Sequence, residues 1–191
     1  MRWNRAVAWG LAVVSLTVAA VNLSCGGAPS TEPAAMTPEQ KVERGRYLVS
    51  VIGCGDCHTP GALSGGADTT RALSGSEMGW VGPWGTAYSA NLTPDSTGLQ
   101  AWTEEQIVTA IRTGNRPDGR QLSPAMPWMT LANLTDEDAG SIAAYLKTIP
   151  AVAHRAPAPV PPGQKVAGSL LVFPPPSEWD ARHLAGSGGG H

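Results

Sequence analysis

The sequence predicts an all-α domain, and three segments carry that expectation. Thr37-Pro38-Glu39-Gln40, Thr103-Glu104-Glu105-Gln106 and Thr135-Asp136-Glu137-Asp138 each open as a helix does, with a capping threonine and polar or acidic residues in the first turn. Apolar residues at helical spacing follow each one: Val42, Gly45, Val49 and Ile52, then Ile107, Val108 and Ile111, then Ile142, Tyr145, Leu146 and Ile149. Gly53, Gly114 and Pro150 stop the three runs. No βαβ pattern is visible, and 191 residues allow one domain with tails.

The first run leads directly into Cys54-Gly55-Asp56-Cys57-His58. Two cysteines two residues apart and followed at once by histidine form the attachment signature of a c-type haem. Each thiol adds across one vinyl group, the spacer sets the reach between them, and the adjacent imidazole is placed to ligate the iron. The alternatives are a redox dithiol, which belongs with a βαβ pattern, and half of a zinc site, which needs two more ligands. The other cysteine, Cys25, lies in the export segment, and a second Cys-x-x-Cys-His does not occur, so the count is one haem. A single Phe and few large aliphatics leave a thin core, to which a haem would add a large apolar plate.

Residues 1–24 read as an export signal. Arg2 and Arg5 precede an apolar core of 16 residues, Ala6 to Val21, shorter than the ~20 of a membrane-spanning helix. Val21-Asn22-Leu23-Ser24-Cys25-Gly26-Gly27 resembles a bacterial lipoprotein box, with Asn22 departing from the usual aliphatic residue. Lipidation of Cys25 accounts for a thiol left over after haem attachment; a cleaved soluble protein and an uncleaved anchor are the other readings. All three place the folded part outside the bacterial cytoplasm, in the periplasm or beyond, where haem c is attached. Removing the signal takes two basic and no acidic residues, moving the charge from −2 to −4. A mildly acidic chain offers nothing for nucleic acid.

Residues 25–36 form a tether, whose coil would span roughly 18 Å. The domain then runs over 37–150. Thr59 to Ser76 is loop, rich in Gly, Ser and Thr. Trp80, Trp84 and Tyr88 have polar tips suited to a haem edge and its propionates, and equally suit ordinary core packing. Pro83 is the candidate carbonyl for the second nitrogen of His58. Arg112 could pair with a propionate, but a solvated surface arginine is the default reading, and Pro117-Asp118-Gly119 reads as a turn.

Ser123-Pro124-Ala125-Met126-Pro127-Trp128-Met129 supplies the candidate sixth ligand. A thioether raises the potential of a haem and suits electron transfer. Met126 lies between prolines that stiffen its backbone; Met129 and Met78 lack that framing, and a loop methionine that merely fills a gap is the alternative. After Pro150 come 41 residues with seven prolines and Gly186 to Gly190, read as an extended or mobile tail in which Leu170–Phe173 lie along the surface. His154, His183 and His191 fall in it, a poor place to hold an iron ligand.

These motifs together resemble a class I monohaem cytochrome c, most closely the haem domains that accompany bacterial dehydrogenases. The likeness rests on Arg44-Gly45-Arg46-Tyr47-Leu48, Asn91-Leu92-Thr93-Pro94-Asp95, Pro117-Asp118-Gly119-Arg120, Ala125-Met126-Pro127-Trp128 and Leu134-Thr135-Asp136-Glu137-Asp138, besides the haem motif. It implies about three core helices around one covalently bound haem, with the first and last crossing at Gly45. It also implies Cys54 and Cys57 as thioether anchors and His58 and Met126 as axial ligands. The function expected is that of a tethered one-electron carrier with redox protein partners and no catalysis of its own. A haem enzyme or gas sensor with an open sixth site is the alternative; a structural lipoprotein with an incidental haem is the third reading.

Overall fold

A computed structural model describes residues 35–173. The expected export signal, Cys25 with its expected lipidation, most of the expected tether, Pro174–Pro176, His183 and His191 lie outside the described residues. Three long helices stand where the caps predict them: α1 (Pro38–Val51), α3 (Glu104–Thr113) and α5 (Asp136–Thr148). Two short ones accompany them, α2 (Cys54–His58) and α4 (Trp128–Leu131), the latter in a stretch expected to be loop. Thr37 and Gln40 close a full capping box on α1, and Thr103 and Gln106 another on α3. Each box satisfies two N–H groups that a helix start leaves free.

α1 packs against α5, and α3 against α5. At the first crossing a Cβ on Gly45 would overlap the Ser141 carbonyl and lie 2.7 Å from Tyr145 Cβ, so only glycine lets the backbones approach this closely. Leu48, Val49, Leu73, Leu99, Ile107, Ile142, Ala143 and Leu146 form the buried cluster, with Cys54, Leu92 and Trp102 packed against it. Lys147, in the last turn of α5, donates to the carbonyls of Leu99, Gln100 and Trp102 at 2.9–3.0 Å. That ties α5 to the loop entering α3.

The all-α expectation needs one correction. β1 (Gly79–Gly82) and β2 (Gly85–Tyr88) form an antiparallel hairpin, and β3 (Leu170–Val172) adds to β1 in parallel, in the order β2-β1-β3. Trp80, Val81, Thr86 and Tyr88 are residues that favour strands, and two residues, Pro83 and Trp84, make the turn. From Thr59 to Ser76 the chain is irregular apart from two single 3-10 turns, Ala62–Ser64 and Thr69–Arg71.

The segment after Pro150 is also tighter than expected. From Ala151 to Phe173 it is an extended strap laid on the domain. Thr86 and Val160 exchange both backbone hydrogen bonds at 2.8 and 2.9 Å. Gly85 makes this approach possible: its φ is +93°, and a Cβ there would strike the Val160 carbonyl. The strap ends with Phe173 stacked on Trp80 at 6.1 Å between ring centroids and tilted against Trp84 at 5.6 Å.

Candidate haem site

α1 is capped at Ile52, the chain turns at Gly53, and α2 is the pentapeptide itself, so Cys54, Cys57 and His58 share one helical turn and a half. Both cysteines are free thiols. Burial pushes the Cys54 thiol up to about 11 and raises that of Cys57 as well. A redox dithiol or a thiolate metal ligand needs the opposite, a thiol lowered by positive surroundings. Among the described residues no group of three or more His, Cys, Asp or Glu side chains is placed to hold a metal ion. Neither thiol has the surroundings that those two roles require.

His58 is 8% exposed. Burial holds its pKa below the ordinary histidine value, while the hydrogen bond to Ala90 works against that shift, so the ring is neutral at physiological pH. Its Nδ1 lies 2.7 Å from the Ala90 carbonyl oxygen. An oxygen that only accepts places the proton on Nδ1 and leaves the Nε2 lone pair as the donor. The expected carbonyl was that of Pro83; the hairpin takes Pro83 into its turn, and Ala90, just beyond β2, fills the role. A buried neutral imidazole, oriented by a carbonyl and carried directly after two cysteine positions, fits the proximal side of a covalent haem.

Met126 is half-buried in the loop joining α3 to α4, in a turn where its N–H donates to the Ser123 carbonyl at 2.9 Å and its carbonyl accepts from Trp128 N–H at 2.8 Å. Met129 is 55% exposed on α4. The Trp128 indole N–H is buried with no acceptor among the described residues, so this loop too has a polar partner still to be supplied. Met78 is elsewhere, lining a cavity of about 370 Å³ beside Cys57 with Glu77, Trp80, Tyr88 and Ser169.

Of the aromatics suited either to a haem edge or to core packing, Trp80 and Trp84 have their indole N–H groups engaged within the hairpin. Trp80 N–H donates to Ser89 Oγ at 3.2 Å and Trp84 N–H to the Trp80 carbonyl at 3.1 Å, so the hairpin consumes both. Arg112 pairs with Asp136 at the start of α5. Sequence reasoning missed Ala90, Asn91 and His154 as parts of the histidine's surroundings. Asn91 lies in a motif named above, but nothing local indicates what its side chain grips.

Such a site defines a class: a helical domain that carries a covalently attached haem on one short helix. The chain belongs to the cytochrome c family, which matches residues 42–150 and whose cofactor is haem c. It is 37% identical over 153 residues to the fructose dehydrogenase cytochrome subunit of Gluconobacter japonicus, covering 78% of this chain and 29% of that one. To the cytochrome c subunit of alcohol dehydrogenase (quinone) from Gluconacetobacter polyoxogenes it is 36% identical over 133 residues, 69% of this chain and 26% of that one. To the gluconate 2-dehydrogenase cytochrome c subunit of Pantoea cypripedii it is 35% identical over 105 residues, 54% and 22% respectively. The chain thus spans under a third of the length of each of these relatives. It is a c-type cytochrome similar to the haem-bearing subunits of dehydrogenases.

Proposed function

We propose that this chain is a periplasmic one-electron carrier, tethered to a membrane through lipidated Cys25, that accepts electrons from a dehydrogenase. One haem c is joined to Cys54 and Cys57 and ligated by His58 and Met126. The observation that carries the reading is His58: buried, neutral and fixed through Nδ1 by Ala90, with Nε2 left to donate. When bound, the haem supplies a one-electron couple. The protein's part is to hold the ligand, exclude water and limit rearrangement between oxidation states. His58 needs no proton exchange to do this. Met126, on a loop stiffened by its flanking prolines, supplies a thioether that favours the reduced form. Relatives named as dehydrogenase subunits support a dehydrogenase as the electron donor. The export signal and the Cys25 context support the compartment and the anchor.

The test is the visible spectrum of the purified holoprotein, oxidised and reduced, with carbon monoxide added to the reduced form. A sulfur-to-iron charge-transfer band lost in Met126→Ala, retained in Met129→Ala and Met78→Ala, with no carbon monoxide binding to wild type, is the expected result. Ready carbon monoxide binding without that band would instead mean an open sixth site and a haem enzyme or gas sensor.

A further inference from the structure

The carbonyl that orients His58 belongs to a segment with no helix or strand to hold it. Ala90 lies between the end of β2 and the loop before α3. Its neighbour Asn91, 2% exposed, grips the strap. Asn91 Nδ2 donates to the Val152 carbonyl at 2.8 Å and shares its remaining hydrogen-bonding with Thr97 Oγ1 and the His154 carbonyl. Its Oδ1 accepts from Thr93 N–H and Oγ–H, both at 2.8 Å. Thr93 in turn accepts from Val152 N–H at 3.1 Å.

The strap also reaches the backbone of His58, indirectly, through the Ser74–Gly75 turn. Gly75 N–H donates to the His58 carbonyl at 2.8 Å. The next carbonyl back, that of Ser74, lies 2.7 Å from His154 Nδ1. His154 Nε2 is 2.9 Å from Glu77 Oε1, and Arg71 stands beyond Glu77, paired with Asp68. Both ring nitrogens of His154 are thus engaged, one by a backbone carbonyl and one by a carboxylate.

We propose that the strap is a positioning device for the proximal ligand. Asn91 holds Ala90 against the imidazole, and His154 holds the Ser74–Gly75 turn against the backbone of His58. Neither Asn91 nor His154 touches the reacting centre; they act through Ala90 and Gly75. The bond from Nδ1–H to Ala90 makes the imidazole a stronger donor, which favours the oxidised iron. Loosening the strap weakens that bond and shifts the couple toward the reduced form. The inference rests on His58 being the iron ligand, as proposed above.

The experiment uses the full-length holoprotein with Asn91→Ala and His154→Ala, a redox titration, and proton NMR of the His58 ring in the diamagnetic reduced state. Limited proteolysis verifies release of the strap. At a fixed ambient potential, each variant should raise the reduced-to-oxidised ratio threefold or more; tenfold is about 59 mV for one electron. The His58 Nδ1–H should exchange with solvent at least tenfold faster. Should Asn91→Ala fail to load haem, His154→Ala decides alone, because His154, though its side chain is only 13% exposed, lies outside the buried cluster and the haem motif. Unchanged ratio and exchange in a variant whose strap is cut faster by protease would overturn the proposal. A His58 ring without a haem-shifted signal in wild type would overturn the ligand assignment and this inference together. A shifted signal that neither variant alters overturns the strap's role alone.

Discussion

The α1–α5 crossing and the strap both lock distant parts of the chain together, but by different means. At the crossing two regular helices meet through small and apolar surfaces, and the decisive residue is one that is nearly absent, Gly45. The strap is held chiefly by hydrogen bonds: its backbone pairs with Asn91, Thr93 and Thr86, and its own His154 ring reaches the Ser74 carbonyl. Packing of that first kind tolerates little change of volume. Hydrogen bonding of the second kind tolerates changes of shape and punishes the loss of a partner.

Breaking the crossing should have the largest effect. Gly45→Val places two methyl groups where even a Cβ overlaps Ser141, and should destabilise the holoprotein by about 3 kcal/mol or more in denaturant unfolding. Full stability in Gly45→Val would mean that the helices do not approach as described. Next comes Gly85→Ala, which imposes both a positive φ and a collision with Val160. It should cost about 1–2 kcal/mol and make the strap, but not the helices, the first site of proteolysis. The smallest effect sharpens the contrast within the crossing itself. Arg44 Nε lies 2.8 Å from Asp138 Oδ1, joining α1 to α5 at the surface, and holds the Asp138 carboxyl below its ordinary value. A depressed carboxylate contributes stability above its unfolded pKa and loses it as pH falls through the folded value. Asp138→Asn should therefore flatten the acid limb of the thermal midpoint as pH falls below the ordinary aspartate value, by less than about 1 kcal/mol for so exposed a pair. An unchanged acid limb would remove the pair from the crossing's energetics.

What was legible in the sequence follows the same divide. The capping boxes at Thr37 and Thr103, the stop at Pro150 and the small residue at the crossing are local or periodic signals, and each marks its element. The haem motif is local too. The hairpin is harder to read although Trp80, Val81 and Thr86 favour strands, because Gly79, Gly82 and Gly85 bound its strands and suggest loop. The docking of the strap has no local sign at all: Asn91 meets Val152 across 61 positions, and proline-rich sequence near Val160 reads as extended whether or not it is attached. Ala90 is unreadable for a further reason. Its contribution is a backbone carbonyl, which every residue has, and only the tertiary path aims it at His58.

The parallel pairing of β3 with β1 has a consequence for the order in which the molecule comes together. Gly79 waits for Leu170, and Asn91 for Val152, before either contact can close. Long-range contacts of this kind form late, since the intervening loop must first be ordered. The α1–α5 crossing, which brings Gly45 to Ser141, closes a loop at least as long, so the crossing and the strap both wait for the segments between their partners to be ordered. The helix that carries Cys54, Cys57 and His58 is therefore set between two long-range closures, one made by packed helices and one by a hydrogen-bonded strap.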